Sequence, residues 1–433
     1  MNNLAINGAD KLRTKPFPAY NTIGIEEEEA ALRVLRSGKL SSYLGTWHDD
    51  FYGGVEVQAL ERAWEKFFKV KHAISVNSAT SGLYAAVGAA GVGPGDEVIV
   101  SAYTMSASAT AALVYGAIPV FADIEEDYYC LDVESIESKI TSKTKAIIVV
   151  DIFGQVYDVD AINALAAKHG LIVIEDAAQA PGAMHKEKYA GTLGDMGIFS
   201  LNYHKHIHSG EGGIIVTDDD ILADRLRLIR NHAEAVLSAR GIKSRDELIN
   251  MIGFNYRMTE IEAAIAHEQL KKLPALLTER IANTDYLNGK LAKTPCLIKT
   301  KVRAQSKHVF YVHALQFDPD IAGMHRNTFI DAVKAELPQT LLRDESAVLL
   351  SYGYVKPLYL QPLYQERIGF GRDGFPFNQS SINYEKGLCP VTEKMHYDLL
   401  LSHEFMRPGM SKDDMDDVVS AFEKVWEHRG ELL

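Results

Sequence analysis

Between about residue 70 and residue 220, short apolar runs alternate with segments whose apolar positions recur at helical spacing. The runs cover 72–76, 97–100, 118–121, 145–150, 171–174, 197–200 and 213–216. They are rich in Val and Ile, so they predict strands, and their alternation with helical stretches predicts an α/β unit. Several are apolar at consecutive positions, which predicts a mostly parallel sheet with helices on both faces. Ligands of such sheets gather at the carboxyl ends of the strands. Leu83, Ala86, Val87 and Ala90 predict a helix over 81–91, after which a Gly-Pro-Gly-Asp turn at 93–96 feeds the next strand.

The pattern changes after residue 260. An alanine-rich stretch predicts a helix over 261–273, residues 309–313 predict a strand, and Met415, Val418, Val419, Phe422 and Val425 predict a packed terminal helix over 412–426. The expected division is a large domain over 15–265 and a smaller α+β domain over 266–433. The acidic run 26–29 reads as the solvated start of a helix.

Composition narrows the function classes. A chain of 433 residues with 47% hydrophobic content can bury a large core and holds more than one domain. Lys plus Arg number 45 against 58 for Asp plus Glu, a net charge of −13 spread along the chain, which argues against a nucleic-acid partner. The first residues lack the basic, apolar and small-residue regions of a signal peptide, and no apolar run approaches the ~20 residues of a membrane span. The expectation is a cytoplasmic protein with no membrane partner. Cys130, Cys296 and Cys389 stand far apart, as structural thiols of a reducing compartment do.

Candidate chemistry centres on Lys205, within Ser200-Leu-Asn-Tyr-His-Lys205-His-Ile-His-Ser-Gly-Glu-Gly-Gly213. An amine after a strand can hold an aldehyde cofactor; taken alone, it reads more readily as a surface lysine beside a glycine-rich turn, and its surroundings reverse that. Asp176, twenty-nine residues earlier, ends the apolar run before it, where a carboxylate would face a protonated pyridine nitrogen or cap a helix. Together they point to pyridoxal 5′-phosphate. Gln179 is close enough to donate to the cofactor's ring oxygen, or is a solvated loop residue. The segment from Asn77 to Gly82, with Thr80 and Ser81, lies between a strand and a helix, where free N–H groups suit a phosphate. His204, His206 and His208 form a polar pocket wall more readily than a zinc site, since no acidic or cysteine ligand completes a known spacing.

This ordered set resembles the pyridoxal phosphate-dependent sugar aminotransferases of the DegT/DnrJ/EryC1/StrS family, of fold-type I, from about Lys15 to the C-terminus. The family's lysine motif matches Ser200, Lys205 and Gly210-Glu-Gly-Gly213, its Glu-Asp-x-x-Gln motif matches Glu175, Asp176 and Gln179, and its phosphate-binding Gly-Thr pair matches Ala79-Thr80. The resemblance implies Asp176 at the pyridine nitrogen, Gln179 at the ring hydroxyl and Ser200 at the phosphate. The Gly-x-Asn-x-Arg-Met element, Gly253 to Met258, implies that Asn255 reaches the phosphate of the other subunit of a homodimer. Met105 stands where members usually stack an aromatic residue on the ring, and Tyr359 where many have a histidine near the sugar.

The implied activity moves an amino group from glutamate or glutamine to a keto sugar, with pyridoxamine 5′-phosphate in between, for amino sugars of lipopolysaccharide or other cell-surface polysaccharide. The C-terminal segment looks closer to members acting on keto-cyclitols, or on an oxidised 3-deoxy-octulosonate that becomes its 8-amino analogue, than to those acting on nucleotide sugars. The family's sugar 3-dehydratases, which replace the lysine by histidine, and a cofactor-binding regulator without turnover are the alternatives.

Overall fold

The structure, a computed structural model, describes residues 2–241, 244–342 and 345–433. Its largest sheet joins β1 (His72–Val76), β2 (Glu97–Ser101), β3 (Ile118–Ala122), β4 (Thr144–Val150), β5 (Ile172–Asp176), β6 (Met196–Ser200) and β7 (Gly213–Thr217). The order is β1-β7-β6-β5-β4-β2-β3. The pairs from β3 across to β6 are parallel, and β7 runs against both of its neighbours. Consecutive apolar residues serve opposite faces: Ile147 and Val149 of β4 enter one apolar cluster, Ala146 and Ile148 another. The expectation of a sheet covered on both sides therefore holds.

The helices that build and brace the site are α1 (Ile25–Ser37), α2 (Ala79–Ala89), α3 (Ser106–Val114), α4 (Glu260–Leu291) and α5 (Lys412–Glu427). Helix α2 lies directly on the sheet, because a Cβ at Gly82 would come within 3.2 Å of Ile198 and 3.3 Å of Ile215. Helix α4 outruns its expected end and continues through Pro274, held by buried Leu270, Leu273 and Leu277. Residues 265 and 266 lie within it. The acidic run 26–29 is less solvated than expected: Glu27 is buried and accepts from Gly24 N at 2.7 Å, Gln269 Nε2 at 2.8 Å and Lys272 Nζ at 2.6 Å.

A smaller antiparallel sheet joins β8 (Leu297–Lys299), β9 (His313–Phe317), β10 (Leu350–Tyr352) and β11 (Leu400–His403) in the order β8-β9-β11-β10. Helix α5 packs its expected apolar stripe into the same cluster as Leu315 and Leu401. The strand expected over 309–313 begins only at His313. The preceding residues pair instead with the loop after β4, Val309 N donating to Gly154 O at 3.0 Å and Tyr311 N to Phe153 O at 2.7 Å. This detour brings Tyr311 to the carboxyl edge of the large sheet. Among the described residues no helix is long and apolar enough to cross a membrane.

Candidate active site

A cavity of about 420 Å³ opens at the carboxyl ends of β4, β5 and β6 beside the N-terminus of α2, and Thr80, Met105, Asp176, Gln179, Ser200 and Lys205 line it together. This is where an open parallel sheet places its ligands. Lys205 sits in the loop between β6 and β7, which is closed by Leu201 N to Gly212 O at 2.9 Å and Tyr203 N to Gly210 O at 2.9 Å. Its Nζ lies 4.5 Å from the centre of the Tyr311 ring. Burial pushes the amine down from its ordinary 10.5 to about 8, while the Asp176 charge pulls it back up. An amine so placed is deprotonated far more often than a surface lysine.

Asp176 closes β5 and is buried, with Ser108 Oγ donating to Oδ2 at 2.7 Å and Ala178 N to Oδ1 at 3.2 Å. Burial raises its pKa, and the two hydrogen bonds and Lys205 oppose that. Two donors leave a carboxylate with acceptor capacity to spare, so a protonated ring nitrogen suits it. No helix follows Asp176; the chain turns toward residues 184–185 instead, which removes the helix-cap reading. The preceding Glu175 faces the other way and accepts from Gly191 N at 2.7 Å, Leu193 N at 2.8 Å and Gly194 N at 3.1 Å.

The phosphate end is built by close approach. Gly213, the first residue of β7, pairs with Ser200 on one side and Val76 on the other. A Cβ there would come 2.6 Å from Ala79 N, so glycine lets the α2 entry cross the strand. Ser78 caps α2 by accepting from Ser81 N at 3.0 Å, and the other first-turn N–H groups, beside Thr80 and Ser200, could receive an anion. An aldehyde-reactive amine, a buried carboxylate and these N–H groups together fit pyridoxal 5′-phosphate.

Two expected residues lie outside the cavity lining. Ser81 is buried and its hydroxyl donates to Asn77 Oδ1 at 2.6 Å. Asn255 is exposed, its Oδ1 accepting from Arg257 Nε at 2.8 Å, while the next residue's carbonyl, Tyr256 O, accepts from Asn77 N at 2.8 Å. The histidines part company: His204 lines the cavity, buried His206 donates from Nε2 to Val309 O at 3.2 Å, and His208 Nδ1 accepts from Gly210 N at 3.3 Å. Tyr359 is fully buried against Phe121 and donates to Glu393, away from the cavity. Sequence reasoning missed Ser108, Tyr311 and Tyr354. Only Ser108, three residues after Met105 at the start of α3, carried a local signal.

A model of the DegT/DnrJ/EryC1/StrS aminotransferase family matches residues 46–423. The chain is 33% identical over 402 residues to the spore coat polysaccharide biosynthesis protein SpsC of Bacillus subtilis (strain 168), covering 92% of this chain and 94% of that one. It is 32% identical over 442 residues to the L-glutamine:2-deoxy-scyllo-inosose aminotransferase of Streptoalloteichus tenebrarius, covering 99% of each. The solved aminotransferase from Psychrobacter cryohalolentis is similar with a TM-score of 0.77 at 28% identity, covering 96% of this chain and 99% of the other.

Proposed function

The chain belongs to the DegT/DnrJ/EryC1/StrS aminotransferase family, and from that premise we propose that it moves an amino group from glutamine or glutamate to a polyhydroxylated carbonyl compound that carries no nucleotide. The family's cofactor is pyridoxal 5′-phosphate. When bound, it supplies an aldehyde that takes up the amino group and a ring that draws electrons from the carbon losing its proton. The observation that carries the proposal is the low-pKa amine of Lys205 sharing one cavity with the buried carboxylate of Asp176.

Each side chain then has a task. Lys205 Nζ would hold the cofactor covalently and would take and return the proton at the substrate carbon. Asp176 keeps a negative charge against the ring nitrogen, Met105 covers the ring with a polarizable sulfur, and Gln179 donates toward the ring oxygen. Thr80, Ser200 and the α2 N-terminus hold the phosphate. Ser81 supports that cradle through Asn77. Asn255 serves the neighbouring copy of a homodimer; its exposure outside its own cavity supports this. The absence of nucleotide is supported by end-to-end similarity to a relative whose name gives a keto-cyclitol as acceptor and glutamine as donor. Similarity to a polysaccharide biosynthesis protein supports a place in making cell-surface amino sugars.

The test loads the enzyme with cofactor and adds one amino acid at a time, following the absorbance change to the amine form. That form is then offered a keto-cyclitol, an oxidised 3-deoxy-octulosonate and nucleotide-linked 3-keto and 4-keto hexoses. Turnover with either of the first two and not the last is expected. Turnover only with nucleotide-linked sugars overturns the acceptor class, and no amine form with any donor overturns transamination itself.

A further inference from the structure

Asp151 follows the last residue of β4, and its N donates to Asp176 O at 3.1 Å, which carries the pairing with β5 one step further. Val149 stands opposite Glu175 in that parallel pair, so Asp151, two residues past Val149, emerges on the same face as Glu175. Both side chains are fully buried, and the two carboxyls meet in a side-chain hydrogen bond. Ionised carboxylates only accept, so such a contact needs a proton.

Their other partners decide which group carries it. Glu175 accepts from the backbone N–H groups of Gly191, Leu193 and Gly194, a set that favours the ionised form. Asp151 receives Tyr157 N on Oδ1 at 3.1 Å, and no N–H or hydroxyl donor among the described residues reaches its buried Oδ2. The titratable groups around it are Glu175 and Asp176 on β5, Tyr157 and Cys130, none of them a cation. Arg303, beyond Cys130, is paired with Glu125 and Asp158. Burial and the Glu175 charge push the Asp151 carboxyl well above its ordinary 3.8.

We propose that Asp151 is a positioning residue that keeps its carboxyl proton at neutral pH and donates it from Oδ2 to Glu175, joining the loops on either side of the cavity. On one side Asp151 opens the loop after β4, where Phe153 N donates to Gln179 Oε1 at 2.7 Å and Phe153 O accepts from Tyr311 N. On the other, Glu175 fastens the loop that leads into β6 and Ser200. The shared proton leaves the pair with a single negative charge, so Asp176, next along β5, has one buried charge behind it instead of two. The proton stands on geometry alone; what it positions rests on the aminotransferase reading.

The test is Asp151→Asn, whose carboxamide can donate to Glu175 and accept from Tyr157 N as the protonated carboxyl does. The infrared difference spectrum of wild type minus variant at pH 7 should show the carbonyl stretch of a protonated carboxyl. In urea, the folding constant of the variant relative to wild type should rise about tenfold per pH unit from pH 5 to 8, because the native wild type holds a proton that its unfolded chain has released and the amide has none to release. No carboxyl band, or a ratio independent of pH, means an ionised Asp151 and overturns the proposal. Positioning is read from Asp151→Leu, which cannot donate: borohydride trapping of pyridoxal 5′-phosphate on Lys205 should slow about tenfold, the worth of one hydrogen bond, and asparagine should restore it. Equal trapping rates with leucine and asparagine overturn the positioning role. Wild-type protein that traps no cofactor overturns the aminotransferase reading instead, and the infrared and urea results still decide the proton.

Discussion

At pH 7 an ordinary lysine is almost wholly protonated and cannot attack an aldehyde. Lowering the Lys205 amine from 10.5 to about 8 raises the free-amine fraction at that pH from about 3 in 10,000 to about one in eleven, roughly 300-fold. Burial drives the change and the Asp176 carboxylate opposes it, so Asp176→Asn removes the opposing charge and lowers the midpoint further. The assay measures how fast apoprotein acquires a borohydride-reducible bond with pyridoxal 5′-phosphate between pH 6 and 10.5, with the labelled peptide mapped to Lys205. The cofactor's own ionisations are common to both proteins, so the difference between variant and wild type reports the protein's groups. Wild-type rates should level off above pH 8, and those of the variant at lower pH. A wild-type midpoint near 10.5, a label on another lysine, or an unmoved or higher midpoint in the variant refutes the reasoning.

The same Asp176→Asn substitution should lower kcat by orders of magnitude with the circular dichroism of the fold unchanged, since shape is kept and charge is lost; near-wild-type turnover would remove Asp176 from the chemistry. Buried His308 and His313 titrate at about 3 in the folded chain against about 6.5 unfolded, so their stability contribution is complete above pH 6.5 and is lost as pH falls toward 3. At pH 5 each should have forfeited about 2 kcal/mol, and His308→Phe should lose less between pH 7 and 5 in urea melts than the parent; equal losses refute the assignment. Mixing Lys205→Ala with an inactive Asn255 variant under subunit exchange should restore up to about half the activity per heterodimer, because one of the two sites then carries neither lesion. No recovery from proven heterodimers would mean that Asn255 serves its own subunit.

The sheet was legible because strands buried on both faces must be apolar at consecutive positions, and residues 146–150 are. The reversed direction of β7 was not, since Gly213–Thr217 carries the same Ile and Val pattern whichever way it runs. Asp176 and Lys205 could be found because a strand end and a glycine-rich turn mark them locally, whereas Ser200 was implied only by the family's lysine motif. Ser81 is expected among the hydroxyl donors of the segment 77–82, yet on a helix adjacent residues point about 100° apart, and its hydroxyl reaches Asn77. Tyr311 and Tyr354 had no local signal. They reach the cavity through the pairing of residues 309–311 with the loop after β4 and through the smaller sheet, contacts more than a hundred residues apart in sequence.

Strand alternation explains why Glu175 and Asp176 must be neighbours and cannot exchange. Successive side chains on β5 point to opposite faces, so Glu175 gathers the backbone N–H groups of Gly191, Leu193 and Gly194 while Asp176 faces the cavity. The loop that Glu175 fastens leads straight into β6, whose last residue is Ser200. A Cβ at Gly191, within that loop, would meet the Phe199 ring at 2.2 Å, so the tie also fixes how β6 seats against its neighbour. Ser200 then sets Gly213 opposite it, and Gly213 leaves room for the α2 entry at Ala79. Carboxylate, amine loop and anion cradle are thus held in register through one strand-end pair, although Glu175 itself stays outside the cavity lining. Replacing Glu175 with glutamine would put an NH2 group among those three N–H donors, and the loop before β6 is where its effect on the site should begin.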